Sequence, residues 1–338
     1  MSRETPSGTR GNSLHPPPLE PCHWIAFGAL LAALLAVDLL VLHRTDRSGS
    51  LLESLGLVAF WCLLAMGFNV LVWWWLGGTA GLQFLTGYLL EWSLSMDNVF
   101  VFAVIFGYFQ VPLNYQYRVL FWGILGAILM RLGFILAGAA LVTRFQVVLP
   151  LFGLLLLWTA WKLARPAADQ IDPERNPILR LARRCLPMAR TTIADCGGAF
   201  FLREDHRWRV TPLVFVLLVI ETSDLVFALD SVPAIFGITR DPFIIFTSNV
   251  FAILGLRALY FLLAGAMRWF RHLHYGLAAA VGLVGLKMIG EWLLPHEEGR
   301  ELVPAWLLLA MIAALLAAAM LASLVGRRGT QIDRMNRG

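Results

Sequence analysis

Nine apolar blocks, each near the length that a bilayer demands, leave this chain few ways to fold. They fall at 24–42, 51–76, 80–109, 117–142, 146–161, 212–238, 243–267, 274–294 and 304–325. A helix needs about 20 mostly apolar residues to cross the hydrocarbon core. Hydrophobic residues make up 59% of the chain and charged residues only 14%, and the apolar ones are gathered into those blocks. A soluble all-α protein would show one-sided amphipathic helices instead. The fold class expected is therefore an all-α polytopic membrane protein with about nine transmembrane helices.

The formal net charge of +5 could suggest nucleic acid, but the positions of the charges matter more than their sum. With nine spans the two ends lie on opposite sides. The amino-terminal side carries five basic residues (Arg3, Arg10, Arg144, Arg240, Arg300), whereas the other side carries nineteen, nine of them between Arg165 and Arg209. The excess of Lys and Arg marks the cytoplasmic face, so the amino terminus is expected outside and the carboxyl terminus in the cytoplasm. The basic balance reads as topology in lipid, with no nucleic-acid partner. Residues 1–23, with Pro16-Pro17-Pro18, read as a disordered extracytoplasmic tail. The apolar run after them is too long for a signal peptide. Cys22, Cys62, Cys185 and Cys196 show no paired spacing, so no disulfide framework is expected.

An internal repeat lies beneath the apolar pattern. Ser95-Met-Asp97-Asn-Val-Phe100 resembles Thr222-Ser-Asp224-Leu-Val-Phe227, each preceded by a glutamate, Glu91 or Glu221. The next span in each half carries a central arginine: Arg131 lies 34 residues after Asp97, and Arg257 lies 33 after Asp224. Lys162 and Lys287 follow at offsets of 31 and 30. Residues 77–163 and 211–295 thus read as two copies of one three-helix unit. Three is odd, so the second copy enters from the opposite face, the inverted arrangement of many secondary transporters. Around them stand two helices (24–76), a cytoplasmic loop (164–210), a ninth helix (296–326) and a cytoplasmic tail (327–338). Within the loop, 199–210 alternates about a turn-like centre, as a short hairpin would. No chemistry is assigned to the loop.

Charges inside the spans form the candidate site. They are Glu91, Asp97, Glu221, Asp224 and Asp230, joined by the amide of Asn98, with Arg131, Arg257 and Lys287 as counter-charges. At about 3 kcal/mol per charge at the centre of a helix in lipid, none is tolerable unless paired or bound. Five carboxylates against three cations leave a formal −2, the complement of one divalent cation. The ligands are oxygens, with Ser95, Thr222 and Ser231 nearby and no histidine in a span core, which suits Mg²⁺, Ca²⁺ or Mn²⁺ better than Zn²⁺ or Cu⁺. Two unbroken helices could not aim all six side chains at one point: Asp97 lies about 120° around the helix from Glu91, and Asp230 points away from Asp224. Pro233 predicts a kink or break near Asp230. A blander reading makes the carboxylates ion-pair partners of the arginines, Asn69 and Asn249 interhelical hydrogen-bonding groups, Lys287 a partner of Glu291, Lys162 a snorkelling residue, Asp38 interfacial, and the tryptophans belt or packing residues.

At Glu91-Trp-Ser-Leu-Ser-Met-Asp97-Asn98 and Glu221-Thr-Ser-Asp224-Leu-Val-Phe-Ala-Leu-Asp230-Ser-Val-Pro233-Ala the chain closely resembles the TerC family, over roughly residues 51–324. The resemblance implies a nine-span bacterial inner-membrane protein linked to Mn²⁺ export and, in some operons, to tellurite resistance. It places the family's acidic positions on Glu91, Asp97, Asn98, Glu221, Asp224 and Asp230. The expectation is a secondary transporter exporting Mn²⁺ or a similar hard divalent cation, with protons as counter-ions and no resident cofactor. The alternatives are a membrane-protein assembly scaffold and a tellurium-resistance accessory protein. An enzyme is not expected: no span holds Gly-x-Ser-x-Gly or His-Glu-x-x-His.

Overall fold

The computed structural model describes residues 21–40, 51–145, 147–165, 177–204, 206–264, 273–294 and 302–335. In chain order the elements are α1 (Pro21–Leu40), α2 (Leu51–Leu76), α3 (Gly78–Tyr108), α4 (Leu113–Arg144), α5 (Val148–Leu163), α6 (Pro177–Cys185), β1 (Phe201–Glu204), β2 (Arg207–Val210), α7 (Pro212–Phe236), α8 (Pro242–Leu254), α9 (Leu256–Ala264), α10 (Leu273–Leu293) and α11 (Ala305–Met335). Among the described residues eight helices are long and apolar enough to cross a membrane, with α8 and α9 counted together as one. The protein is an all-α polytopic membrane protein.

The block at 146–161 behaves differently from the other eight. It forms α5, whose 16 residues give a helix of about 24 Å, short of the ~30 Å hydrocarbon core. Phe145, Val147 and Ala164 lie beside it before Arg144 and Arg165 are reached. It packs along α10. The two backbones touch where glycine permits: a Cβ on Gly153 would lie 3.0 Å from the carbonyl oxygen of Gly285, and one on Gly285 would lie 2.9 Å from that of Gly153. Small residues at such crossings are how helices associate in lipid, where no hydrophobic drive separates them from their solvent.

Helix starts follow local chemistry. Pro212 and Pro242 occupy first-turn positions, where the missing N–H costs nothing. Asp241 caps α8 by accepting from the Phe243 amide at 2.9 Å. Burial pushes its carboxyl above the ordinary range, while the Phe243 and Ile244 amides pull the other way. The break expected near Asp230 does not occur. α7 runs unbroken through Pro233 and ends one turn later at Phe236, so the proline falls where the helix stops anyway. α3 is likewise unbroken over 31 residues. Among the described residues the one interruption is at Gly255, between α8 and α9, in what the sequence reads as a single span.

α8 is buried along its whole length and forms the centre of the bundle. Around it Phe27 of α1, Phe68 of α2, Phe84 of α3 and Phe243, Phe246 and Phe251 of α8 pack in tilted and edge-on pairs with ring centroids 4.8 to 6.2 Å apart. Leu63, Trp74 and Leu129 point outward, as a lipid-facing surface requires. α3 contacts α7 and α8, α4 contacts the same two helices, and α5 contacts α7 and α10.

The loop between α5 and α7 holds the expected hairpin, β1 paired antiparallel with β2 from Phe201↔Val210 to Glu204↔Arg207. His206 takes positive φ at its turn. Arg118 of α4 ties the loop down by donating to the Gly198 carbonyl at 2.7 Å. The proposed tail at 1–23 lies outside the described residues up to 20, and α1 already begins at Pro21. Most of the segment read as a carboxyl-terminal tail, 327–338, continues α11 as far as Met335.

Candidate functional site

A single guanidinium, that of Arg131 on α4, gathers side chains from three other helices. It is 1% exposed. Its Nη1 donates to Glu91 Oε1 on α3 in a close ion pair. The same nitrogen donates to Asn249 Oδ1 on α8 at 3.0 Å and to Ser231 Oγ on α7 at 3.2 Å. Its Nη2 lies 3.6 Å from Asp224 Oδ1, also on α7. Asn249 closes the ring by donating to Glu91 Oε2 at 3.2 Å. Asn98, two turns after Glu91, donates to Asp224 Oδ1 at 3.5 Å. Charged hydrogen bonds in so dry a place are strong, and stripping one partner from such a node costs about 3–5 kcal/mol.

The node is not fully satisfied. Asp224 Oδ2, Arg131 Nε and Ser95 Oγ are buried with no hydrogen-bond partner among the described residues. Ser95 shares a face with Glu91 and Asn98, spaced four and three residues apart. A cavity of about 10 Å³, room for one water at most, opens beside Asp224 between Phe102, Leu120 and Ile220. An orphaned carboxylate oxygen in a dry site is costly and, in a native structure, calls for an explanation.

The other expected residues lie elsewhere. Glu221 sits one turn before Asp224, half-buried, with its carboxylate pressed over Gly126 of α4, where any side chain would collide with it. Asp97 is half-buried and has no ion pair or hydrogen bond among the described residues. Asp230 turns to α5, accepting from Thr159 Oγ1 at 2.9 Å. The six residues therefore do not converge on one point. With α3 and α7 both continuous, the helical phase angles keep Asp97 and Asp230 off the face that carries Glu91, Asn98 and Asp224. Among the described residues no three of His, Cys, Asp or Glu stand close enough to hold a metal together.

Two of the three counter-charges are engaged away from the node. Arg257 of α9 donates to Asp38 of α1, to the side chain in a close ion pair and to the main-chain carbonyl at 3.2 Å. Asp38 is 5% exposed, so it is a buried partner and not an interfacial residue. The signal was available: a carboxylate inside an apolar span needs a cation, and α9 offers one. Lys287 pairs with Glu291 at 3.0 Å, as the four-residue spacing predicts, and donates to the Gly237 carbonyl at 3.0 Å. Asn249 does join helices, as expected, but does so inside the node. Thr159 and Gly126 carried no signal in the sequence.

Fold and site together define a polytopic helical membrane protein with a charged node at its centre. The chain belongs to the TerC family of integral membrane proteins, whose pattern it matches over residues 76–331. It is 46% identical over 310 residues to an uncharacterized membrane protein of Myxococcus xanthus, covering 91% of this chain and 93% of that one. It is 43% identical over 278 residues to Alx of Salmonella typhi, provisionally named a membrane-bound redox modulator, covering 80% and 85%. To the chloroplast thylakoid membrane protein TERC of Arabidopsis thaliana it is 45% identical over 207 residues, covering 61% and 53%. No solved structure matches the chain.

Proposed function

We propose that this protein is a secondary transporter that carries Mn²⁺, or a similarly hard divalent cation, out of the bacterial cytoplasm in exchange for protons. The observation that carries the reading is the Arg131 node: carboxylates from both units, Glu91 and Asp224, are buried against one tethered cation, and one oxygen of Asp224 has no partner among the described residues. Arg131 holds the place of a positive guest. Glu91, Asn98, Asp224 and Ser95 supply the hard oxygen donors that such an ion prefers, once the guanidinium is displaced. Asp38 and Glu291 engage Arg257 and Lys287, so among the described residues Arg131 is the cation that faces Glu91 and Asp224. The helix contacts support two inverted units: α3 against α8 mirrors α4 against α7, and α5 lies against α10. Rocking of one unit against the other would then open the node to each side in turn.

The test is ⁵⁴Mn²⁺ flux in proteoliposomes. The Asp97→Asn, Asp224→Asn double variant is expected to lose flux while remaining folded. Wild-type rates from that variant, or no flux from the wild type, would sink the transporter reading in favour of a scaffold.

A further inference from the structure

The repeat equates Asp97 with Asp224 and Arg131 with Arg257. In the structure one of the two possible pairs between units is made: Arg131 of the first unit lies 3.6 Å from Asp224 of the second. Its counterpart, Arg257 of the second unit with Asp97 of the first, is absent, although α9 packs against α3. Arg257 is instead held by Asp38, on a helix outside both units. Asp97 has no ion pair among the described residues, and Arg257 keeps one buried nitrogen, Nη1, without an acceptor. Burial follows the same division. Asp224 is 3% exposed and Ser95 0%, whereas their counterparts Asp97 and Thr222 are only half-buried. One half of the repeated arrangement is paired and tightly buried, and the other is neither.

The second unit also lacks one part. Counting from the paired aspartates, Glu91 stands where the second unit has Leu218. Arg257 therefore has no carboxylate at the register position that serves Arg131, and Asp38 supplies one from outside.

We propose that Asp38 is a positioning residue that holds Arg257 off Asp97, and that Arg257 passes from Asp38 to Asp97 as the two units exchange roles. In the exchanged state Arg257 and Asp97 form the mirror of the Arg131–Asp224 pair, and Arg131 releases Asp224. This deepens the transporter reading and rests on it for its purpose, since the exchange is what would free the node for a cation. α1 lies outside the stretch matched by the family pattern, which begins at residue 76. Asp38 does lie within the 91% of this chain that the Myxococcus xanthus relative matches.

The test labels carboxyls with dicyclohexylcarbodiimide in proteoliposomes without divalent metal, read by peptide mass spectrometry. In the wild type Asp97 is open to the reagent. In Asp38→Asn, Arg257 moves to Asp97, and labelling there falls about fivefold or more, the size of an ordinary coupling between sites. Labelling returns in Asp38→Asn, Arg257→Gln, and stays at the wild-type level in Asp38→Glu. Unchanged Asp97 labelling in Asp38→Asn, or no recovery in the double variant, overturns the exchange. Should Asp38→Asn fail to fold, Asp97→Asn is read at Asp38. With its competitor gone, Asp38 keeps Arg257 and is labelled less than in the wild type; equal labelling overturns the exchange. Flux is measured on the same vesicles. Absent flux with the labelling pattern intact removes the transporter reading alone, and flux with a flat pattern removes the exchange alone.

Discussion

Arg131 bonds three helices to its own, so its replacement should be felt both in folding and in transport. Arg131→Met leaves Glu91 and Asp224 buried without a cation and should destabilise the protein by about 3–5 kcal/mol, seen as a lower thermal midpoint in detergent. Arg131→Lys keeps the charge but loses the fork that reaches Glu91, Asn249, Ser231 and Asp224 together, and should lie between. Asn249→Leu removes one acceptor and one donor from the ring, with a smaller cost of about 1–3 kcal/mol. If Arg131→Met proves as stable as the wild type, the node is not what holds α3, α4, α7 and α8 together.

At the scale of helices, two close approaches set how the elements can move. Gly126 leaves room for the Glu221 carboxylate on the facing helix. Gly126→Ala should displace that side chain and cut metal flux more than it lowers stability, since Glu221 is only half-buried and the carboxylate is the end of a flexible side chain. Gly285→Leu at the α5–α10 contact should do the reverse, separating two backbones and costing stability first. Helix existence was legible from apolar block length. Which carboxylate meets which cation was not. Phase angles say which residues share a face, as with Glu91 and Asn98, but not which neighbour that face meets. Thr159, and the choice of Arg257 as the partner of Asp38, therefore emerged only with the packing, and Pro233 misled because a proline bends a helix only where the helix has further to go.

For the molecule as a whole, a cation that replaces Arg131 should stabilise the folded state by mass action, worth about 2.7 kcal/mol at a hundred times its dissociation constant. Added Mn²⁺ should raise the thermal midpoint of the wild type and leave Asp224→Asn unmoved; an equal rise in both would place the ion elsewhere. The membrane class and family were legible from sequence, while the single point of convergence for six ligands was not met, because unbroken helices cannot rotate residues onto a common axis. One consequence follows from having the guanidinium built into the chain. A competitor on a short tether cannot be diluted, so it presents a fixed and high local concentration to its carboxylates. On the transporter reading proposed above, a metal ion would have to exceed that threshold to enter, which would leave the protein idle in a cell at ordinary metal levels and rouse it only in surplus.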